Sequence, residues 1–398
     1  MPPQEIISVI YVVGNLQTGG PTLQLLYLIS NLDRTRFKPI VIVTSASGEP
    51  TQIERRLDQA GVEVLRIEAG KLASMFRAPL CLKRVVRGEA RVVLHPYGFR
   101  SDIICWLSRV RPRLGNVRNN LRYNYQRSLG KRRGRIISAI NQFFLSKTDL
   151  VVSCGEGVRK NLATLGQDSV TVRNAIDPEI YRDFMCSDSA LQPKKYAEPT
   201  YLTVASKIPG KNIEFLVEEF ALAPPGSRRL IVIGAANPDL IEKHANTPTV
   251  KFRGHVTKPG DAFLETDFFI SASEHEGIPN AVLEALILGR PVVLSQIPAH
   301  LEIMQTSGEE VGSTFTWTGE SLNQALETVE NQDYQGLSDR SYVSAERHLH
   351  AREMAHRYQL VYEALVLQAP HTIEAQLEGL TAASPSGGAK LGKVRDHL

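Results

Sequence analysis

Short runs of β-branched residues alternate with helically spaced segments along this chain, and halfway through the series starts again. IISVIYVV opens it, a helical pattern over about 21–32 follows, and then come PIVIVT, a second helical pattern near 51–60, VEVLRI and RVVLH. Strand, helix and strand in succession form the βαβ unit of a parallel sheet, whose strands are covered on both faces and therefore read as continuous Val and Ile. TDLVVS and VTVRN continue the first series. YLTVAS begins another after residue 200, followed by IVIGA, VKFRGHV, DFFISAS and PVVLS, with segments such as IEFLVEEFALA between them. At 398 residues the chain is longer than one hydrophobic core usually supports. The fold class expected is α/β, with two doubly wound, Rossmann-like domains.

The first domain is assigned to residues 1–176 and the second to 200–345, with the polar, proline-bearing stretch 177–199 as the connection. From about 339 the spacing of apolar residues is helical. Met354, Tyr358, Val361 and Leu365 mark the buried side of a terminal helix, 346–368, expected to return to the first domain. The last segment, 369–398, is small, polar and rich in Gly and Ser, and is expected to be a disordered tail.

Composition excludes several classes. Hydrophobic residues make up 42% and charged residues 22%, and no window approaches the roughly 18 apolar residues of a membrane span. IISVIYVV follows Glu5 with no basic residue before it, which favours a first strand over a signal peptide. The four cysteines show neither CxxC nor a Cys/His metal pattern, so no metal site is expected and a reducing cytoplasm fits best. Net charge is only +4, yet residues 103–148 contain no Asp or Glu. Arg109, Arg111, Arg113, Arg118, Arg122, Arg127, Lys131, Arg132, Arg133 and Arg135 fall inside that window.

The stretch richest in chemistry is SASEHEGIPNAVLEALILGRPVVLS, residues 271–295. DFFISAS has strand composition, and the turn after it opens into a two-turn helix, with Asn280 as candidate cap, closed by Gly289. Ligands of open parallel sheets bind beyond the C-terminal ends of strands, where the N–H groups of the next helix attract a diphosphate. Gly277, Ile278 and Pro279 shape the turn, Glu276 projects from it, and Glu284 follows in the helix's first turns.

EGIPNAVLEALILGRPVV resembles the donor-site signature of retaining glycosyltransferases of family 4, and the resemblance extends over roughly residues 5–365. It implies a GT-B fold, with the two Rossmann-like domains facing across a cleft. By that resemblance Glu276 lies beside the transferring sugar and Glu284 accepts the ribose hydroxyls of a nucleotide-diphosphate donor. Gly19 and Gly20 of TGGP resemble the family's Gly-Gly turn after the first strand. Lys211 of SKIPGKN matches the family's lysine, and Lys207 stands in the place usually held by arginine. VVLHPYGFRSD resembles a segment that is often HxHG in the family, so His95 joins Glu276 and Lys211 as a catalytic candidate, while Tyr97 replaces the second histidine. RNAID resembles the NGVD turn, with Ala175 in place of a glycine. IPAHLE, 297–302, resembles the family's IPxHxE run and is given no role of its own.

The activity implied is sugar transfer to a hydroxyl acceptor with retained anomeric configuration, by front-face displacement and without metal or cofactor. For the basic stretch, with Arg118, Arg122, Arg132 and Arg133 as its candidates, two functional readings stand. One is peripheral attachment to anionic lipid at the inner face of the cell membrane, and the other is binding of a lipid-diphosphate acceptor. Nucleic acid is not expected, because aromatic interleaving is thin and no RNA- or DNA-binding signature is present. The alternatives are a nucleotide-sugar epimerase or a phosphorylase on the same fold, and a non-catalytic nucleotide-sugar or membrane-binding protein.

Overall fold

β1 (Ile7–Val13) is buried at every residue, as a central strand covered on both faces must be. It belongs to a computed structural model describing residues 5–45, 48–187, 196–206, 210–308, 310–369 and 372–382. The chain divides into two units: the part up to Asn174 together with the segment from Ala351, and the part Ala175–His350.

In the first unit β1 leads into α1 (Gly20–Ser30), β2 (Phe37–Val43), α2 (Gln52–Gln59), β3 (Glu63–Arg66) and α3 (Lys71–Val86). There follow β4 (Arg91–Tyr97), α4 (Phe99–Ser108), β5 (Leu114–Val117), α5 (Leu121–Leu129) and α6 (Lys131–Leu145). β6 (Leu150–Ser153), α7 (Glu156–Thr164) and β7 (Val170–Thr171) complete the series. Four strands pair in the order β3-β2-β1-β4 and three in the order β5-β6-β7. A parallel bridge between Leu94 and Arg113 joins the two sets. Winding therefore runs outward from β1 in both directions, and right-handed crossovers put the helices of the two directions on opposite faces. Packing agrees: α1 meets α2, whereas α3 meets α4 and α4 meets α6. Ile10, Val12, Ile40, Ile42, Leu94 and Ile104 form the core beneath the second layer.

The second unit starts with α8 (Pro178–Met185), inside the stretch expected as a linker. Asp177 accepts a hydrogen bond from the Ile180 amide at 3.1 Å and caps that helix, which buries Ile180, Tyr181, Phe184 and Met185. The chain continues through β8 (Thr200–Ala205), α9 (Ile213–Ala221), β9 (Arg229–Gly234), α10 (Pro238–Lys243), β10 (Val250–Gly254) and α11 (Pro259–Leu264). β11 (Phe268–Ser271), α12 (Asn280–Ile287), β12 (Val292–Ser295), α13 (Pro298–Thr306) and β13 (Gly312–Phe315) come next. α14 (Gly319–Glu330) and α15 (Tyr334–His348) end the unit. Its six strands are all parallel, in the order β10-β9-β8-β11-β12-β13. Numbered from β8 this is 3-2-1-4-5-6, the doubly wound dinucleotide-binding order.

The helical pattern read from 339 onward is two helices. α15 stops at His348, and α16 (Ala351–Val366) packs in the first unit against α1, β1 and β4. Between them the Ile176 amide donates to the Leu349 carbonyl at 2.8 Å, beside an Ile176–His350 bridge, so the backbone leaves the helical path to pair as a strand. Ala175 keeps a negative φ, so the turn does without the left-handed residue a glycine would supply.

The expectation of a disordered tail from 369 is corrected over its first part. α17 (Ile373–Ala382) is helical, packs on α16, and buries Ile373 and Leu377. The signal was overlooked because only two apolar positions, four apart, carry the contact, while residues 383–398 lie outside those described. The Ile373→Ala/Leu377→Ala double variant should lose about 2–4 kcal/mol, the usual cost of emptying partly collapsible apolar sites. Urea unfolding of the full chain checks it, and an unchanged midpoint would mean that α17 is not part of the folded unit.

Candidate functional site

Strand order reverses in the second unit at β8, whose neighbours are β9 and β11. Loops leaving the C-terminal ends of β8 and β11 therefore diverge and leave a crevice at the sheet edge. One hydrogen bond fixes their spacing, from the Glu274 amide to the Gly210 carbonyl at 2.8 Å. Gly210 has φ +102°, a conformation that favours glycine. This is the place of the sequence-predicted donor residues Lys211, Glu276, Gly277, Ile278, Pro279, Asn280 and Glu284. Lys207 falls outside the described residues.

Lys211 Nζ meets Glu276 Oε1 at 2.5 Å, and the Ser273 hydroxyl donates to the same oxygen at 2.9 Å. Both side chains of the pair are mostly buried, so the carboxylate is held by a cation and a hydroxyl at one defined spot. Ser273 is itself anchored, by a contact with the Ser271 hydroxyl at 3.1 Å and by the Ser295 hydroxyl donating to its carbonyl at 2.7 Å.

α12 begins at Asn280 with Pro279 as its extended N-cap, and no side chain caps it. Asn280 is thus the first helical residue and not the cap expected from the sequence. Among the other helices of the unit, α8, α10, α14 and α15 have side-chain caps from Asp177, Asn237, Thr318 and Asp333, whereas α9, α11 and α13 have none. The N-terminus of α12 lies at the switch point with no acid in its first turn, an arrangement that leaves its positive end to an anionic ligand.

Glu284 stands one turn further on. Its carboxyl is pushed up to about 7, because burial penalises the charged form more than the Tyr181 hydroxyl, at 3.4 Å, and the charge of Lys211 favour it. Tyr181 comes from α8, the segment taken for a linker, so nothing in the sequence tied it to Glu284.

His300 was also missed. It is fully buried on α13, and its Nδ1 faces the Ser295 carbonyl at 2.9 Å, so that nitrogen carries the proton. Nε2 is then an acceptor, buried and with no hydrogen-bond partner among the described residues. Burial lowers the imidazole to about 4, with Glu276 and Lys211 near enough to act on it electrostatically, so it is neutral at pH 7. The IPAHLE run was its signal, read as a mark of likeness without a role.

The catalytic candidate His95 lies in the first unit, on β4. The ring is wholly buried, with Nδ1 2.9 Å from the Tyr362 hydroxyl and Nε2 3.0 Å from Asn116 Nδ2. Both nitrogens are engaged and burial pulls the imidazole well below its ordinary value, so His95 ties α16 to the sheet. Gly19 and Gly20 lie at the start of α1, beyond β1, with Gly19 as N-cap. Arg118, expected at an acceptor or membrane surface, is half-buried at the end of β5, where its guanidinium stacks on Tyr97 at 4.9 Å and donates to Asn174 at 2.9 Å. Arg122, Arg132 and Arg133 are exposed on α5 and α6. No group of three or more His, Cys, Asp or Glu is placed to hold a metal ion among the described residues.

Residues 198–329 match the family model described as Glycosyl transferases group 1, a span that contains every residue of the switch-point site except Tyr181. The chain is 24% identical, over 314 residues, to the capsular polysaccharide biosynthesis glycosyltransferase CapH of Staphylococcus aureus, covering 75% of this chain and 84% of that protein. Among solved structures it is similar to Anabaena Alr3699/HepE in complex with UDP and glucose, with a TM-score of 0.67 and 14% identity, over 90% of this chain and 99% of the other. Sucrose-phosphate synthase from Thermosynechococcus elongatus is also similar, with a TM-score of 0.68 and 16% identity over 92% and 100% of the two chains. The fold is GT-B.

Glu284 binds a proton in the folded state between about 4.5 and 7 that the unfolded chain has released, so its contribution to stability falls as pH rises through that window. Glu284→Gln removes the charge and keeps an acceptor for Tyr181. At pH 8 the ligand-free variant should melt higher than the unmodified chain, and the difference should shrink toward pH 5. Melting curves across that range decide it, and a variant that melts lower at pH 8 would show that Glu284 is not a desolvated carboxylate.

Proposed function

We propose that this protein is a retaining glycosyltransferase, moving a sugar from a nucleotide-diphosphate donor to a hydroxyl acceptor in cell-surface polysaccharide or glycolipid assembly. One observation carries the reading. An uncapped helix N-terminus, a cation-paired glutamate and a second glutamate without a cation of its own converge at the switch point of a 3-2-1-4-5-6 sheet. The match to Glycosyl transferases group 1 and the likeness to CapH support the reaction class and the polymer. HepE has been solved with UDP and glucose, which makes UDP the first nucleotide to test here.

In this reading the diphosphate lies on the N-terminal amides of α12, where backbone dipoles and Lys211 meet the charge that develops as the glycosidic bond breaks. Glu276 holds Lys211 in place and faces the transferring sugar, and the leaving phosphate takes part in deprotonating the acceptor. Glu284 accepts two hydrogen bonds from the ribose hydroxyls. A carboxylate suits adjacent hydroxyls because it accepts both at once, and its partly desolvated state leaves it short of donors until the nucleotide arrives. The neutral Nε2 of His300, buried and without a hydrogen-bond partner among the described residues, offers an acceptor near Glu276 and Lys211 without adding charge. No metal is required, since a cation and helix amides already oppose the diphosphate.

Each charge-assisted bond to ribose contributes about 1.5–3 kcal/mol, so Glu284→Ala should weaken UDP binding at least about tenfold and abolish its thermal stabilisation. Glu276→Gln should retain that stabilisation while turnover falls by about 10²–10³, the range for loss of one electrostatic stabiliser. Melting-temperature shifts with UDP, GDP and ADP, and NMR of the product's anomeric centre, test both parts. An unchanged UDP shift in Glu284→Ala removes the ribose assignment, an inverted anomer removes retention, and a free epimer without transfer replaces the reaction class.

A further inference from the structure

We infer that the outer face of the α3–α4–α6 layer of the first unit is a docking surface for an anionic lipid bilayer. α6 is two-sided. Gly134, Ser138, Asn141 and Leu145 face inward, and a Cβ at Gly134 would lie 2.4 Å from the Gln126 backbone, so glycine is what lets α5 and α6 pack this closely. On the opposite side of the helix Ile136, Ile140 and Phe143, at four- and three-residue spacing, are 60%, 39% and 50% exposed. Residues of this kind are normally placed against a partner, and a stripe of them aimed away from the unit's own core finds none there.

The patch does not end with α6. Trp106 on α4 packs edge-on against Phe144, with ring centroids 5.4 Å apart, and Trp106 and Leu107 are both exposed. α3, which packs on α4, exposes Phe76 and Leu80 one turn apart.

Charge identifies the occupant. Between Lys71 and Thr148 the only acids are Glu89 and Asp102. Glu89 bonds Lys38 and Ser8, and Asp102 is buried with its carboxyl raised well above the usual range by desolvation. Lys131, Arg132, Arg133 and Arg135 are exposed around the first turns of α6, and Lys147 lies over the Phe143 ring at 5.2 Å. A second copy of the chain seated symmetrically on this face would bring cation against cation. An anionic bilayer satisfies both features at once: the apolar stripe enters the headgroup boundary while Arg and Lys reach the phosphates. No helix among the described residues is long and apolar enough to cross the bilayer, so the chain would lie on it.

The test is sedimentation of the full chain with vesicles of phosphatidylcholine containing phosphatidylglycerol, against vesicles of phosphatidylcholine alone. Binding should favour the anionic vesicles and fall about fivefold for each charge lost, so Arg132→Ser/Arg133→Ser should lower it about twentyfold or more. Ile136→Ser/Ile140→Ser/Phe143→Ser should lower it at least about tenfold with every charge in place, since each buried methylene contributes. These side chains are exposed, so the variants should melt as the unmodified chain does and keep the UDP-induced shift, which separates this test from that of the donor site. Equal sedimentation with both vesicle types overturns the inference, and this comparison needs no variant. So does unchanged binding of the serine-stripe variant, or a concentration-dependent dimer that the stripe variant abolishes.

Discussion

Strands of a parallel sheet all end at the same edge, so the loops that follow them differ only in the direction they take. Where the winding reverses, two neighbouring loops turn away from each other, and the crevice at that point cannot be filled by either connection. In the second unit this happens at β8 and β11, held side by side by Phe268 against Tyr201 and Phe269 against Leu202. Below them the buried Asp267 accepts hydrogen bonds from the amides of Thr200 and Tyr196, at 2.8 and 2.7 Å, which fixes the start of β8 against β11. The candidate site rests on this pairing. Lys211 follows one strand and Glu276 the other, and a shift of one residue between β8 and β11 would separate the ion pair.

Two carboxylates eight residues apart, Glu276 and Glu284, are treated oppositely by their surroundings. Glu276 has its opposite charge within 2.5 Å and a serine hydroxyl on the same oxygen, so its charge is compensated before any ligand binds. Glu284 has a tyrosine hydroxyl at 3.4 Å and little else, and its carboxyl resists ionisation. An empty site that destabilises one of its own charges is a reservoir for binding, because hydrogen-bond donors brought by a ligand relieve a cost already present in the folded state. Stability and recognition oppose each other at this residue. His300 follows the complementary logic: it is buried and neutral, and it offers an acceptor where an added charge would disturb the balance between Lys211 and Glu276.

The sheets were legible because burial on both faces forces Val and Ile runs that no other element needs. The loop and helix from Glu276 to Glu284 were legible because the whole device is local. Long-range partners were not. The fate of His95 depends on Tyr362, 267 residues later, and a histidine at a strand end reads the same whether its ring meets solvent or a buried tyrosine. Tyr181 was hidden in a polar segment whose single amphipathic turn pair is masked by flanking prolines and charges. β5 was hidden in the arginine-rich window: its four residues, LGNV, give too short an apolar run to count as a strand, although Leu114 and Val117 are buried. Composition described that window as one basic stretch, while the fold distributes it among a core strand and three helices.

Charge shows how far that distribution goes. Arg113 is buried with its amide donating to Asp149 at 2.7 Å, and Arg118 stacks under Tyr97, so two of the window's arginines serve packing. The rest face solvent beside exposed Ile, Phe and Trp; Arg111 pairs with Asp149 at 2.6 Å, while Asp102, the one acid within α4, is turned inward. A net charge of +4 over the chain conceals this, because the balancing carboxylates lie elsewhere in the sequence. Segregation of this kind costs electrostatic self-repulsion within the layer, and exposed apolar residues along α6 add unfavourable contact with water. Neither contributes to holding the fold, since α6 meets the unit through its other face. Two independent costs that coincide on one surface, and that the same environment would relieve, are explained by what that surface meets and not by the stability of the unit that carries it.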